Sequence, residues 1–269
     1  MTRFAVLSDI DGNLEALTAV LADIEKQGVS EVYNLGNTVG YGPDPVACLA
    51  ELEKYDGSSD QGLHITSIEG RHEKILREAL QSKSPVERTF LAYVQEQLEQ
   101  LPHSQDIPDD YIQLIDLVLY HSSPNRPKYT KGGEQENAAD IFRQLTKEGY
   151  RGMVVGMTGV PVLYCPQDEL EVKPGFTWSN SNTVHTNSPF ILNPGSVGRP
   201  LDGNAKAKYA IVHGDCITFH AVKYDVEETI SKSLRSINAL VDAAHREGVQ
   251  DQARSDLLEY QINRIRTGE

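Results

Sequence analysis

Phe4-Ala5-Val6-Leu7-Ser8-Asp9-Ile10-Asp11-Gly12-Asn13-Leu14 is the stretch that decides the fold of this chain. Its apolar run stops at Asp9, as a buried parallel strand does where it meets a turn. After the turn at residues 9–13, apolar side chains recur at Leu14, Leu17, Val20, Leu21 and Ile24, the spacing of one helical face, and Gly28 ends the helix. Glu31-Val32-Tyr33-Asn34-Leu35 then supplies a second strand and closes a βαβ unit.

Working outward, residues 57–62 form a polar Gly/Ser/Asp loop and residues 64–68 a third short strand. Ser84-Pro85-Val86-Glu87 is a capping box that opens a helix ending near Leu101. An apolar run over residues 114–120 ends at His121, residues 135–148 read as a helix, and residues 152–155 as the next strand. Strands are expected again at 189–192, 209–212 and 217–222. Asp225-Val226-Glu227-Glu228 caps a tail helix continuing through Leu234, Ile237, Leu240 and Val241, with a further helical stretch at Leu257, Leu258, Ile262 and Ile265. These elements predict an α/β sandwich with mixed sheets, a domain over residues 1–223 and a helical extension over 224–269 packed on it. Such an extension is also a common route to a homo-oligomer.

The chain has 269 residues, 25 Lys+Arg against 39 Asp+Glu, a net charge of −14, and 39% apolar residues. That composition builds a core and excludes a disordered chain, while the acidic balance, with no Lys/Arg run, argues against nucleic acid as a partner. Cys48, Cys165 and Cys216 are odd in number and widely spaced, so they read as buried apolar side chains in a reducing compartment. No stretch approaches a membrane span and the first residues run straight into a strand, so a cytoplasmic protein without a membrane partner is expected.

Ligands of open α/β sheets bind beyond the carboxyl ends of the strands. The first three strands deliver there Asp9 and Asp11, then Gly36-Asn37-Thr38-Val39-Gly40, then Gly70-Arg71-His72-Glu73. Later ones deliver His121 and Gly156-Met157-Thr158-Gly159.

With Gly12-Asn13-Leu14-Glu15-Ala16-Leu17, Val39-Gly40-Tyr41-Gly42-Pro43-Asp44-Pro45 and Asn193-Pro194-Gly195-Ser196-Val197-Gly198, these motifs make the chain resemble the calcineurin-like metallophosphoesterases, specifically their small bacterial and archaeal phosphodiesterase branch. The resemblance covers nearly the whole chain. It implies a four-layer α/β/β/α sandwich of two mixed sheets, with two metal ions at the strand ends activating a water to attack phosphorus.

The ligand positions depart from that pattern. Asp11 replaces the histidine of D-x-H, and Asn37 replaces the bridging aspartate of G-D-x-x-G, where a neutral amide oxygen bridges two cations poorly. Arg71 replaces the asparagine of G-N-H-[DE], and Met157 and Gly159 replace both histidines of G-H-x-H. Asp9 and His121 survive, and His72 matches the histidine that protonates the leaving group or steadies the phosphate.

Each residue has a sharp reading and a bland one. Asp9, Asp11 and Asn37, with His121, form a candidate site for one divalent cation (Mg²⁺, Mn²⁺ or Ca²⁺), against a role for the two carboxylates as helix caps. Arg71, Thr38 and His121 form a candidate phosphate site, against a salt bridge from Arg71 to Asp9, Asp11 or Glu73. His72 is the candidate catalytic acid, against a hydrogen-bonded structural imidazole. The expectation is a catalytically silent protein, holding no metal or one, that binds a phosphate-containing small molecule or a protein. The alternative is a weak phosphodiesterase or phosphatase using one metal at Asp9, Asp11 and Asn37.

Overall fold

The computed structural model describes residues 3–55, 62–78, 111–122, 138–165, 181–186 and 189–246. Its strands are β1 (Arg3–Leu7), β2 (Glu31–Asn34), β3 (His64–Ser67), β4 (Tyr111–Gln113), β5 (Leu117–Tyr120), β6 (Gly152–Val155), β7 (Val162–Tyr164), β8 (Ser181–His185), β9 (Phe190–Asn193), β10 (Ala207–His213) and β11 (Cys216–Val222). Its helices are α1 (Leu14–Lys26), α2 (Pro45–Glu53), α3 (Arg71–Glu78), α4 (Ala138–Glu148) and α5 (Val226–Arg246).

The strands form two mixed sheets, in the orders β3-β2-β1-β10-β11-β8 and β4-β5-β6-β9-β7. In the first sheet β1, β2 and β3 run parallel and the remaining pairings are antiparallel. In the second, β5, β6 and β9 run parallel between antiparallel edges. The parallel strands of both sheets end at one place, and that place carries the site.

Alternation along each strand divides the core into three clusters. Phe4 and Val6 of β1 meet Leu119, Val154, Phe190 and Leu192 of the second sheet, so the two sheets pack face to face. Ala5 and Leu7, on the other face of β1, pack against Leu17, Val20, Leu21 and Ile24 of α1. On the far side of the second sheet, Met153 and Ile191 lie against Ile141, Phe142 and Leu145 of α4. At roughly 25 cal/mol per Å² of apolar area removed from water, these interfaces are the main stabilising contribution.

Asn13 is the N-cap of α1, its Oδ1 accepting from Ala16 N at 3.1 Å. The expectation that Asp9 and Asp11 cap this helix is thereby corrected. Asp225 does cap α5, accepting from Glu228 N at 3.0 Å. Helix α5 docks on α1 through Thr229, which donates to Glu15 and Asn13, and through Lys232, which pairs with Glu15 and Asp44. The helix expected from Ser84 and the stretch from Leu257 lie outside the described residues. Helices α2 and α3 and the short strands β4, β7 and β8 were not legible in the sequence. Among the described residues no helix is long and apolar enough to cross a membrane.

Replacing Lys232 with Met leaves Glu15 and Asp44 facing each other without their shared cation. A loss of about 1 kcal/mol is expected, read as a lower urea midpoint with an unchanged slope; an unchanged midpoint would show that this junction contributes nothing to stability.

Candidate functional site

Four non-glycine residues among those described have positive φ: Asp9 at 53°, Asp11 at 51°, Asn37 at 53° and Met157 at 74°. All four stand at strand ends and at ligand positions of the motif pattern. The left-handed region is tolerable for Asp and Asn and costs more for Met, and such outliers gather at functional sites. The backbone that would aim ligands inward is therefore present, and the side chains on it decide what it does.

Asp9 is buried, and both its oxygens are occupied by N–H donors. Asn37 Nδ2 donates to Oδ1 at 2.9 Å, and Met157 N donates to Oδ2 at 3.0 Å. The Asn37 amide cannot be turned round, because its Oδ1 accepts from His72 N at 2.9 Å. Asn37 thus presents its N–H₂ to Asp9, and the oxygen that the three-ligand expectation required points away. Burial pushes the Asp9 carboxyl above the usual range and neighbouring Asp11 adds to this, while His121, the Asn37 hydrogen bond and Arg199 only partly offset them.

Asp11 lies between two cationic groups. His72 Nδ1 is 3.0 Å from its Oδ1 and Arg199 Nε is 3.3 Å from its Oδ2. Both contacts are close but poorly aligned as hydrogen bonds, so their attraction is mainly that of charge. Burial acts to raise the Asp11 carboxyl, but Arg199 and His72 outweigh it and hold it below the usual range. For His72 burial disfavours the imidazolium, yet the close contact with Asp11 and the charges of Asp11 and Glu73 raise its pKa. Arg199 also stacks on Tyr41, with 4.3 Å from guanidinium to ring, and Tyr41 meets His72 edge-on at 5.2 Å.

Glu73 holds the turns together. Its Oε2 accepts from Asn37 N at 2.9 Å and Gly70 N at 2.8 Å, and its Oε1 from Val39 N at 3.0 Å. The close approach also explains Gly40, where an added Cβ would lie 2.3 Å from Asp11 Oδ1. The Asn193–Gly198 turn fixes Asp9 from the opposite side: Ser196 Oγ and Gly198 N donate to the Asp9 carbonyl at 2.8 and 2.9 Å.

His121 is buried, with Nδ1–H donating to Leu35 O at 2.7 Å, while its Nε2 has no hydrogen-bond partner among the described residues. Thr38 is buried and accepts from Asn34 Nδ2 at 2.9 Å. Arg71 is exposed, and among the described residues it makes none of the expected pairs with Asp9, Asp11 or Glu73. That role belongs to Arg199, which sequence reasoning missed; its position directly after the Asn193–Gly198 turn was the available signal. At Gly159 φ is 68° and an added Cβ would lie 2.9 Å from Leu201 Cγ, so Leu201 takes the space a side chain would need.

A metallophosphoesterase from Sphaerobacter thermophilus shares this arrangement of sheets over 100% of both chains, at 25% identity and a TM-score of 0.67. The chain has the metallophosphoesterase fold. A hypothetical protein from Pyrococcus horikoshii has the same fold at 21% identity over 96% of this chain and 98% of its own, with a TM-score of 0.62. An uncharacterised protein of Methanocaldococcus jannaschii is 27% identical over 243 residues, 87% of this chain and 93% of its own. No family model matches the chain.

The resemblance to metallophosphoesterases implies divalent metals, and the donor set can be tested for them. A cation needs lone pairs, whereas here N–H groups of Asn37 and Met157 face Asp9, and a guanidinium and an imidazole face Asp11. Among the described residues no group of three or more His, Cys, Asp and Glu is disposed to hold a metal ion. These residues do not fit a two-metal centre.

Two outcomes follow. Glu73→Gln sets an amide N–H₂ among backbone N–H groups and is expected to cost about 2–3 kcal/mol in urea unfolding; a loss below about 0.5 kcal/mol would contradict the anchoring role. His72 has a raised folded pKa, so its stabilisation is complete below its unfolded value, near 6.5, and is lost as pH rises through the higher folded one. Asp11, with a lowered folded pKa, stabilises above its unfolded value and loses this as pH falls through the folded one. The stability difference between the native chain and His72→Gln should therefore be largest near pH 5–6 and shrink in alkali; a difference flat across that range would exclude the pair.

Proposed function

We propose that this is a metallophosphoesterase-fold protein whose dinuclear centre has been dismantled. It is a catalytically silent relative with a binding or regulatory role in the cytoplasm, directed at a phosphate-containing small molecule. The observation that carries this is the double engagement of Asp9 by Asn37 Nδ2 and Met157 N, in a position where the superfamily's chemistry needs carboxylate lone pairs. The partial charges that neutralise the site are supplied from within the chain, by N–H donors, His72 and Arg199, and do not need to come from cations. The exposed Arg71 is the donor offered to a phosphate, and the His121 imidazole, whose Nε2 has no partner among the described residues, adds a second polar contact.

A second reading is favoured by one observation. The raised pKa of His72 suits a general acid, and Nε2 of His121 retains a lone pair beside Asp9. Under it, one divalent cation at Asp9, Asp11 and Asn37 supports weak phosphodiester hydrolysis, which requires the Asn37 amide to leave its present partners.

Elemental analysis after incubation with Mn²⁺, Mg²⁺ and Zn²⁺, paired with hydrolysis of bis(nitrophenyl) phosphate, separates the two. No retained ion and no hydrolysis above an Asp9→Ala variant is the expected result. Metal-stimulated turnover that Asp9→Ala abolishes would overturn the silent reading, and two retained ions per chain would also overturn the account of the donor set.

A further inference from the structure

The opposite end of the first sheet, where β1 begins, holds a second group of reactive side chains unrelated to the strand-end site. Cross-strand register places Arg3 of β1 opposite His213 of β10, His213 opposite Cys216 of β11, and Cys216 opposite His185 of β8. Directly paired residues project from the same face of a sheet, so a guanidinium, an imidazole, a thiol and a second imidazole form one row across four strands. Within it Cys216 Sγ lies 3.2 Å from His185 Nδ1. The expectation that all three cysteines are buried holds for Cys48 and Cys165 and fails for Cys216, which is only partly covered.

Beside the row lies an open cleft of about 430 Å³, whose lining includes Arg3, His213, Cys216, Thr218 and His220. His220 is buried and stacks on Tyr209 at 4.6 Å. Its Nδ1 faces Asp23 at 3.7 Å, whereas its buried Nε2 has no hydrogen-bond partner among the described residues. The nearby carboxylates are already engaged: Asp23 accepts from Tyr209 Oη at 2.7 Å, and Asp215 lies 3.7 Å from Arg151. The cleft thus combines a thiol next to a base with a guanidinium that also donates to Gln27 O at 2.7 Å, in a chain of net charge −14.

We propose that Cys216 is an S-thiolation site that accepts one half of a low-molecular-weight disulfide bearing carboxylates. His185 Nδ1 takes the proton from Sγ–H, and the thiolate attacks one sulfur of the incoming disulfide. A sulfur–sulfur bond forms to Cys216 as the disulfide's own bond breaks, and the leaving thiolate takes the proton from the His185 imidazolium. Cys216 is oxidised, the departing half is reduced, and no other oxidant is needed. Arg3 and His213 favour the carboxylates, and the cleft accommodates the retained half. Cys48 cannot compete, since it is enclosed and burial pushes its thiol well above the ordinary value. Cys165 is enclosed as well.

The full-length chain, incubated with oxidised glutathione or with the diamine disulfide cystamine, is read by intact mass and peptide mapping. The expected result is one adduct, on Cys216, forming about 5-fold or more faster with glutathione disulfide than with cystamine. His185→Gln should slow both reagents by about 10-fold, and Arg3→Gln should remove the preference while leaving the reaction. Circular dichroism melting checks that each variant is folded. No Cys216 adduct on a native chain whose denatured form does react overturns the proposal, as does a rate unaffected by His185→Gln. Equal rates with the two disulfides remove the anionic ligand class and with it the site as proposed.

Discussion

A carboxylate enclosed by protein needs either a cation or N–H donors, and Asp9 has the donors. Everything at the strand ends is arranged around that requirement. The Asn37 amide is locked in the orientation that points its N–H₂ at Asp9 because the backbone of His72 claims its oxygen. Met157 accepts an unfavourable positive φ, and its backbone N–H completes the coordination of the second oxygen. Glu73, Ser196 and Gly198 then hold the three turns that bring these groups together. An uncompensated buried charge would cost several kcal/mol, so this network is a condition of folding as well as a description of the site.

The second carboxylate is satisfied differently, by charge. Asp11 between His72 and Arg199, with Tyr41 under the guanidinium, makes a small zwitterionic cluster in which each member depends on the others. The turns at the strand ends therefore enclose two carboxylates whose charge is already offset from within the chain, by N–H donors at Asp9 and by His72 and Arg199 at Asp11. His72 has Asp11 as its partner there, and that contact raises the pKa of the imidazole.

Much of this was legible in the sequence, and the reason differs from place to place. The run ending at Asp9 and the spacing of Leu17, Val20, Leu21 and Ile24 report periodicity, which a single chain displays directly. The motif order identified the fold because turn geometry constrains residue type. Arg199 was missed because its partner Asp11 is remote in sequence, and its place after the Asn193–Gly198 turn does not by itself say which carboxylate it meets. Arg71 was overvalued for the converse reason: its place in the motif suggested the pocket, while α3 begins there and leaves its side chain outside. Strands β4 and β7 have three residues each, too few for an alternation to show. Cys216 looked like core because a strand residue's face is set by its register, which only the paired strands fix.

The docking of α5 reaches further than its contact with α1. Thr229 donates to Asn13 Oδ1, Asn13 Nδ2 donates to Gly198 O, and Gly198 N donates to Asp9 O. Three hydrogen bonds thus run in series from the C-terminal helix to the residue at the centre of the site. A change in how the helix seats on α1 therefore has a hydrogen-bonded route to Asp9 that passes through only two residues, Asn13 and Gly198.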